Sequence, residues 1–506
     1  MNKRFLRLIC LLCICMLFCG CENQQESPVV SVTLPPVESK LTPYTNDTHQ
    51  NYTQTVLLYL PSLDGTQLIA IPETAAFTAS RHTAEVLCEM LFSHEGTENA
   101  APLGGNIPLR LSDTDAIEIS GNVVTVNLAA SALRLSHAQV YTVGQALANT
   151  LCQFGDLNYV NLLIAGVQPG LDIAASLPAG SFQPNTREDL STLWARASAP
   201  QNSARRTFAA TLYYPAPSGK GILCEARTLS FSDLSVSGMA RTLMAALSSG
   251  AEYLSALPVC PDLNGLLLSD PVLEETGGMR RLVLHFGDSL NTRLIDAGIT
   301  RSVMVSSLVC TLTTFIPGLD GVEIRIGSES ISAITPSGTF VGAGETVFFA
   351  GGLMQRKSFI PFLLASSSLY FANSQGKLVQ SARPAPFYET YNIRAIIGQL
   401  MQGPQGYDSV SGLTATLPQG LRDADLLGVS LEKGSLVLNF SNQLITLCQN
   451  MTAQQEQLMV YSLVNTLCEL PGVNRVAFFI MGEQPETFAG SVFLPGDFLP
   501  NYHLMQ

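Results

Sequence analysis

The sequence is poor in charged residues, in histidine and in tryptophan, and these scarcities exclude several classes of protein. Asp, Glu, Lys and Arg make up 13% of the 506 residues, whereas hydrophobic residues make up 46%. Disordered chains show the opposite balance, so we expect packed cores in more than one domain. The formal net charge is −13, and no Lys/Arg cluster occurs outside the extreme N-terminus. This acidic balance argues against a nucleic-acid partner.

Motifs for catalysis and for metal binding are missing as well. The sequence contains no HExxH, no GxSxG and no metal-spaced set of His and Asp. We therefore predict a protein that is not an enzyme, with no metal and no cofactor. A Ser–His–Asp arrangement assembled from distant segments stays open, because such sites are spatial. The histidines are His49, His82, His94, His137, His285 and His503.

The N-terminus has the pattern of an exported lipoprotein. Lys3, Arg4 and Arg7 precede an apolar stretch of 12 residues, which is too short to favour a transmembrane helix. The stretch ends in LFCGC, where a small residue precedes Cys21 as in a bacterial lipobox. We predict a signal peptide over residues 1–20 and lipid attachment at Cys21; an ordinary signal peptide or a short membrane anchor is the alternative. Each of these places the body of the protein outside the cytoplasmic membrane, and lipid attachment at Cys21 would hold it at the outer face.

Seven cysteines follow Cys21, and their pattern does not resemble a zinc site. Their number is odd, their spacing is irregular and no CxxC pair occurs among them. Several lie in apolar helical contexts, where free cysteine behaves as a small hydrophobic residue. We favour buried thiols over a disulfide framework. The seven are Cys88, Cys152, Cys224, Cys260, Cys310, Cys448 and Cys468.

One sequence motif occurs three times along the chain. The stretches LANTLCQFGDLNYVNLLIAG, LVCTLTTFIPGLDGVEIRIG and LVNTLCELPGVNRVAFFIMG contain Thr150, Thr311 and Thr466 at matching positions. Each reads as a helix followed by a strand, and the threonine is the polar group that all three share. We expect its hydroxyl to bond back to a carbonyl of its own helix.

The likeness extends upstream of each threonine and predicts an α+β fold. Each copy begins with a strand, a turn glycine (Gly65, Gly219 or Gly376) and a second strand, and continues with a helix and another strand pair. The unit is thus about β-β-α-β-β-α-β, with two helices packed on one face of a small mixed or antiparallel sheet. The predicted segments are a flexible tether over 21–52, a first domain over 53–185, a linker over 186–204, a divergent second domain over 205–337, a connecting segment over 338–365 and a third domain over 366–506.

The connecting segment over 338–365 is apolar and rich in glycine, unlike a free linker. We expect it to hold extra strands that dock two domains together. An exposed interaction patch is the alternative.

The third copy resembles a known family, the GerMN domain of sporulation and spore germination. The resemblance rests on an LYF start strand, on LMQGP at Leu400–Pro404, on LVLNFS at Leu436–Ser441 and on LVNTLCELPGVNRVAFFIMGEQPETF. The first copy fits well and the second is the most divergent. Together the three cover about 400 residues, and we expect three tandem GerMN-like domains.

The resemblance implies a non-catalytic envelope protein. GerMN domains are similar in fold to ring-building domains of membrane-spanning assemblies, and relatives act during endospore formation or accompany membrane sensors. We therefore expect a structural or interaction lipoprotein that contacts other envelope proteins. Alternatives are a protein that binds peptidoglycan or a small ligand, and an accessory lipoprotein of a membrane sensor.

Three polar residues occupy matching places on the return strands of the second strand pairs. They are Asn127, His285 and Asn439. They would line a shared polar surface, or they are simply solvated strand ends. Linked copies of such a site gain avidity when geometry allows simultaneous contact.

Overall fold

The computed structural model describes the body of the protein and leaves its N-terminal part outside. The described residues are 51–78, 81–153, 157–174, 176–199, 206–216, 221–253, 258–335, 346–405, 407–470 and 472–506. All of them belong to one unit, Pro35–Gln506. The predicted signal peptide, Cys21, nearly all of the tether, and Gly219 lie outside the described residues.

The predicted α+β class is confirmed. Within the described residues, the order β-β-α-β-β-α-β occurs three times, with one additional short helix in the second unit and two in the third. We call these units modules 1, 2 and 3. In each module the first two strands form their own two-stranded sheet, separate from a second, mixed sheet. The sequence predicted a single small sheet for each unit, so the structure divides that sheet in two.

Module 1 shows the arrangement most simply. Its mixed sheet has the order β3-β4-β5-β6, in which β4 and β5 are parallel. A parallel pair needs a crossover, and α2 provides it. The elements are β1 (Asn51–Pro61), β2 (Leu68–Thr78), α1 (Thr83–Ser93), β3 (Ile117–Ser120), β4 (Val123–Leu128), a 3₁₀ helix (Ala130–Arg134), α2 (His137–Leu151), β5 (Tyr159–Ile164), β6 (Ser181–Phe182) and α3 (Leu190–Ser198).

Module 2 follows α3, which lies in the segment predicted as a linker. Its mixed sheet has the order β12-β11-β10-β9. The connecting segment contributes β14, which pairs with β13, and 3₁₀ helices that include Arg356–Phe362. The elements are β7 (Arg206–Pro215), β8 (Ile222–Phe231), α4 (Val236–Ser248), β9 (Val272–Thr276), β10 (Met279–Phe286), α5 (Ser289–Asp296), α6 (Arg301–Phe315), β11 (Gly321–Ile326), β12 (Glu329–Ser330), β13 (Ala333–Ile334), β14 (Val347–Phe348) and a further 3₁₀ helix (Ala350–Gly352).

Module 3 repeats the plan with the sheet order β17-β18-β19. Its crossover helix α10 begins with a capping box, in which Thr452 and Gln455 satisfy each other's backbone N–H groups; Ser136 and Gln139 do the same for α2. The elements are β15 (Ala365–Ala372), β16 (Leu378–Ala385), α7 (Ile393–Met401), α8 (Tyr407–Val410), β17 (Leu426–Glu432), β18 (Ser435–Phe440), α9 (Asn442–Cys448), α10 (Ala453–Cys468), β19 (Arg475–Ile480) and 3₁₀ helices at Phe387–Glu389, Asp423–Asp425 and Tyr502–Leu504.

The modules pack against one another through their sheets. Strand β1 of module 1 contacts β17 of module 3, and β15 of module 3 contacts β3 of module 1. Module 2 lies beside them, with β8 against β3 and β4. All six residues of β4, and all six of β18, are buried. The second face of β4 lies against module 2, since Val123 packs in the core of that module and β8 contacts β4. On β18, Val437 packs instead with Ala477 and Phe479 of module 3.

The recurring threonine holds the first hairpin strand of each module, and the predicted bond to its own helix is wrong. Thr150, Thr311 and Thr466 accept hydrogen bonds from the backbone N–H groups of Tyr59, Tyr213 and Tyr370, at 3.2, 2.9 and 3.1 Å. In modules 2 and 3 a serine one turn earlier, Ser307 or Ser462, donates to the carbonyl of the same tyrosine. In module 1, Gln153 instead bonds both backbone groups of Leu57, at 3.0 and 2.9 Å. Helix side chains therefore satisfy strand groups that would otherwise form an unpaired edge.

No single helix within the described ranges has the length and hydropathy of a membrane span. One bent pair, α5 with α6 at 101°, meets those limits only when its two members are counted together.

We predict that Thr311→Val destabilises the protein more than Thr313→Val, a matched change on the same helix. Both threonines are buried, but the Thr313 hydroxyl donates to Val309 within the helix, whereas Thr311 receives the Tyr213 N–H. Loss of Thr311 leaves a buried donor without an acceptor, which costs about 1–3 kcal/mol, and loss of Thr313 costs less because the carbonyl keeps its helical partner. Urea denaturation of both variants measures the difference. Equal losses in the free energy of unfolding would contradict the role of Thr311 in holding β7 against the helix.

Candidate functional site

The matching residues of the return strands hold the turn after the last strand of each module. The side-chain oxygens of Asn127 and Asn439 accept from the N–H groups of Gly166 and Gly482, each at 2.9 Å, and His285 Nε2 lies 2.7 Å from the carbonyl oxygen of Gly327. Asn127 and Asn439 are buried and His285 is half-buried. The three side chains therefore act within separate modules, and no hydrogen bond joins them in the described part of the chain.

The turns they hold need the left-handed conformation. Ala165 and Gly166 both have positive φ angles, 52° and 79°, and so do Met481 and Gly482, at 52° and 88°. Two consecutive residues with positive φ form the tight turn that suits a β-hairpin. An asparagine oxygen that receives the second N–H stabilises this turn.

All seven cysteines after Cys21 are free thiols. Five are buried, and burial raises the pKa of every one of the seven. A thiol that stays protonated is a poor nucleophile and a poor metal ligand. In the described residues, no group of three or more His, Cys, Asp or Glu side chains is arranged to hold a metal.

A buried charge cluster lies where module 1, module 2 and the connecting segment meet. Arg356, from the 3₁₀ helix of the connecting segment, places Nη2 2.7 Å from Oε2 of Glu118 on β3 and 3.6 Å from Oδ2 of Asp115. The Tyr213 hydroxyl of β7 donates to the same Glu118 oxygen at 3.2 Å. The Arg356 guanidinium also lies over the Tyr213 ring, 5.6 Å from its centroid.

The electrostatic cost of this cluster is high, because its charged groups are almost fully removed from water. Glu118 and Arg356 are 4% and 3% exposed. Burial raises the pKa of the Glu118 carboxyl, while Arg356 and the Tyr213 hydroxyl oppose that rise by favouring the carboxylate. The Nε and Nη1 atoms of Arg356 have no acceptor among the described residues. Such a pair adds little net stability but makes a wrong arrangement of the three segments very costly.

A second buried carboxylate orders the segment after β19. Glu456 of α10 is fully buried and accepts four backbone N–H groups at 2.8–3.1 Å. The donors are Phe488, Ala489, Ser491 and Val492. Each of its two oxygens thus accepts two backbone N–H groups, so the carboxylate serves to order this segment.

The segments after the last strand are also equivalent in modules 1 and 3. Asn149 on α2 accepts from the N–H of Asn185 at 2.8 Å and donates to its carbonyl at 3.0 Å. Asn465 on α10 makes the same two bonds with Asn501, at 2.9 and 3.4 Å. The Asn-Thr pairs of the first and third copies and the likeness of FQPN to FLPN carry this signal in the sequence. The predicted repeat unit, which ends at the last strand, does not include these shared segments.

A histidine lies at the contact between modules 1 and 3. His82 caps the start of α1, where its Nδ1 accepts the N–H of Ala84 at 3.0 Å. Its ring lies 5.3 Å from that of Phe387 and 5.5 Å from that of Tyr391, both in module 3. Burial lowers the pKa of His82 to about 4. The neutral ring is therefore the form that caps the helix and packs between the modules.

Comparison with known protein families gives a match in module 3. The family model described as "Germane: Sporulation and spore germination" matches residues 368–486. Module 3 is a GerMN-like domain. The matched range runs from β15 to just beyond the turn that Asn439 holds. No curated protein is significantly similar to the chain.

Two solved structures with GerMN domains are similar to the chain. The tandem GerMN domains of the sporulation protein GerM from Bacillus subtilis are 16% identical with a TM-score of 0.21, and the match covers 58% of this chain and 100% of that one. The first GerMN domain of the same protein is 21% identical with a TM-score of 0.22, over 27% of this chain and 98% of that one. Because both TM-scores are low, the assignment of the GerMN-like domain rests on the family model.

We predict that Glu118→Gln lowers the free energy of unfolding by about 3–5 kcal/mol, because it leaves the buried Arg356 cation without its nearest partner. The matched control is Glu188→Gln, which removes an exposed partner of Arg196 and costs about 1 kcal/mol or less. Denaturation followed by the fluorescence of the single tryptophan, Trp194, measures both. The double variant with Arg356→Met should recover part of the loss. Equal costs for the two single variants would contradict the role of the cluster.

We predict that acid lowers the free energy of unfolding because His82 becomes protonated. An unfolded histidine has a pKa near 6.5, so the unfolded chain binds more protons between pH 6.5 and about 4, and stability is lost as the pH falls through that window. His82→Asn keeps a capping oxygen but does not titrate. From pH 7 to pH 5, the wild type should lose about 1–2 kcal/mol more than the variant. Denaturation curves at both pH values test this, and identical pH dependence in the two proteins would refute it.

Proposed function

We propose that this chain is a non-catalytic lipoprotein, held at the outer face of the cytoplasmic membrane through Cys21, that serves as a structural or interaction component of the cell envelope in sporulation or spore germination. The match of residues 368–486 to a sporulation and germination family carries the proposal. Modules 1 and 2 are then diverged GerMN-like copies, because they share with module 3 the element order and the threonine that holds the hairpin.

The use of the buried charges supports a scaffold rather than an enzyme. The carboxylates of Glu118 and Glu456 bond to an arginine and a tyrosine, or to backbone N–H groups, and thereby join segments of the fold. Catalytic carboxylates usually lie in a cleft that substrate can enter, with a pKa tuned for proton transfer. Glu118 instead connects module 1 with module 2 and the connecting segment, and Glu456 orders a segment within module 3. Both roles are structural, as a platform for other proteins requires.

A second candidate function is the binding of peptidoglycan or a small ligand. Module 3 has a cleft of about 770 Å³ between the first hairpin and the start of α10. Its lining includes the amide residues Asn373, Gln419, Gln454 and Gln455. This volume suits a small molecule, and amides suit a sugar or a peptide.

The proposal is tested by in-cell crosslinking of the tagged full chain, followed by mass spectrometry of the captured proteins, in growing and in sporulating cultures. We expect a reproducible set of envelope proteins and fractionation with the membrane. Cys21→Ala should release the protein from the membrane and reduce capture by about tenfold, because the acyl chains supply the anchoring energy. Cys19→Ala, in the same apolar stretch, is the matched control and should change neither the membrane fractionation nor the amount of captured protein.

Two outcomes would contradict the proposal. Capture only with cell-wall material would favour the ligand-binding function. Membrane fractionation that Cys21→Ala leaves unchanged would remove the lipid anchor from the account.

A further inference from the structure

Module 1 has an edge that module 2 covers. Strand β6 pairs with β5 and forms one edge of the mixed sheet. Outside it lies β7, the first hairpin strand of module 2, whose Thr211 hydroxyl is 2.9 Å from the hydroxyl of Ser181. The approach is close at Gly180, where a Cβ atom would lie 2.7 Å from the carbonyl oxygen of Ala209. Glycine at this position lets the two backbones meet.

Module 3 has the same edge. Phe498 pairs with Val476 of β19 through two backbone hydrogen bonds, at 2.9 and 2.8 Å, just as Phe182 pairs with Val160 of β5. Asn501 is bonded to α10 as Asn185 is bonded to α2. Gly496 takes the place of Gly180, two residues before the phenylalanine.

This second edge is open in the described structure. A Cβ atom at Gly496 would meet no atom within 4 Å. Around it, the side chains of Phe493, Leu499 and Tyr502 are 66%, 65% and 73% exposed. They border a cleft of about 550 Å³ whose floor includes Tyr461 and Phe498. We call Phe493, Gly496, Leu499 and Tyr502 the open edge. Exposed apolar groups gathered in one place are typical of protein interaction surfaces.

Among the described residues, β1 is a strand of the same kind as β7, but its outer face is less covered. In each module, one tyrosine of the first strand donates its N–H to the recurring threonine. When β7 and β1 are aligned on these tyrosines, Thr211 and Tyr213 on the outer face of β7 correspond to Leu57 and Tyr59 on β1. Thr211 and Tyr213 are 1% and 0% exposed, because module 1 covers them. Leu57 and Tyr59 are half-buried, as is Thr55 before them. The outer face of β1 thus retains accessible surface that β7 has lost.

We propose that the open edge of module 3 binds the outer face of β1 in a second copy of this chain. The contact would repeat between molecules the contact that β6 and β7 make within one. It joins two different surfaces, so successive copies form a ring if the rotation closes and an open filament if it does not. This inference names a partner for the assembly role proposed above and rests on that role.

The test uses the full chain in its own membrane, with the photoreactive residue p-benzoylphenylalanine in place of Tyr502. We expect a crosslinked dimer and higher species on a denaturing gel, and mass spectrometry should place the crosslink in the peptide that contains β1. The same probe at Phe348, which is 78% exposed on β14, is the matched control and should give no such dimer.

Surface variants on each side of the contact sharpen the test. Leu499→Glu on the open edge and Thr55→Glu on β1 should each reduce the dimer by about tenfold, because each places a charge in an apolar contact. In the Leu499→Glu protein the probe stays at Tyr502. The control variants Val410→Glu and Leu63→Glu lie in the same two modules, at positions 85% and 67% exposed. They should leave the amount of crosslinked dimer unchanged. Thermal unfolding of all four variants shows whether the fold is retained.

Three outcomes would overturn the inference. They are a monomer only, a crosslink to a different protein, and a dimer crosslinked away from β1. A crosslink to a different envelope protein would leave the assembly role standing while it removes self-association. If in-cell crosslinking of the wild type captured no envelope protein, copies of the chain included, the assembly role itself would fall.

Discussion

The structure depends on hydrogen bonds that helix side chains make to the edge of a β-strand. Among the described residues, the first hairpin of each module pairs with no strand of the mixed sheet, so one side of its first strand would present unpaired N–H and C=O groups. Thr150, Thr311 and Thr466 take the N–H of the facing tyrosine. Because a buried donor without an acceptor costs about 1–3 kcal/mol, this polar position is fixed even though the rest of the helix changes. The recurring threonine thus docks the first hairpin against the helix, and it occurs three times because each module has such a hairpin.

The buried charges then decide how the modules are joined. Apolar packing alone is tolerant, since many arrangements bury similar area. Glu118, Tyr213 and Arg356 come from three segments of the chain, and one carboxylate oxygen of Glu118 accepts hydrogen bonds from the other two. In this arrangement module 2 closes one edge of module 1, while the matching edge of module 3 is open in the described structure. A preformed surface suits the interaction role proposed above, because it binds without an ordering cost.

The fold class and element order could be predicted from the sequence because they depend on local signals. Strand alternation, turn glycines and helical spacing are read within about 15 residues. The partner of the threonine could not, since Tyr59 lies 91 residues from Thr150 and a hydroxyl bonds equally well to its own helix. The same limit explains Asn127 and Asn439, whose burial and turn contacts depend on a segment about 40 residues later. The Asn149–Asn185 and Asn465–Asn501 pairs are different, because both span 36 residues and the likeness of FQPN to FLPN was visible.

Hydrogen–deuterium exchange of individual backbone amides tests the central claim most directly. If helix side chains hold the hairpin strands, the amides of Tyr59, Tyr213 and Tyr370 should exchange as slowly as the amides within the β-ladders, since all open only with the fold. Exchange at these three tyrosines as fast as at exposed loop amides would show that the threonine contacts do not persist and that the hairpins are not docked in the way described.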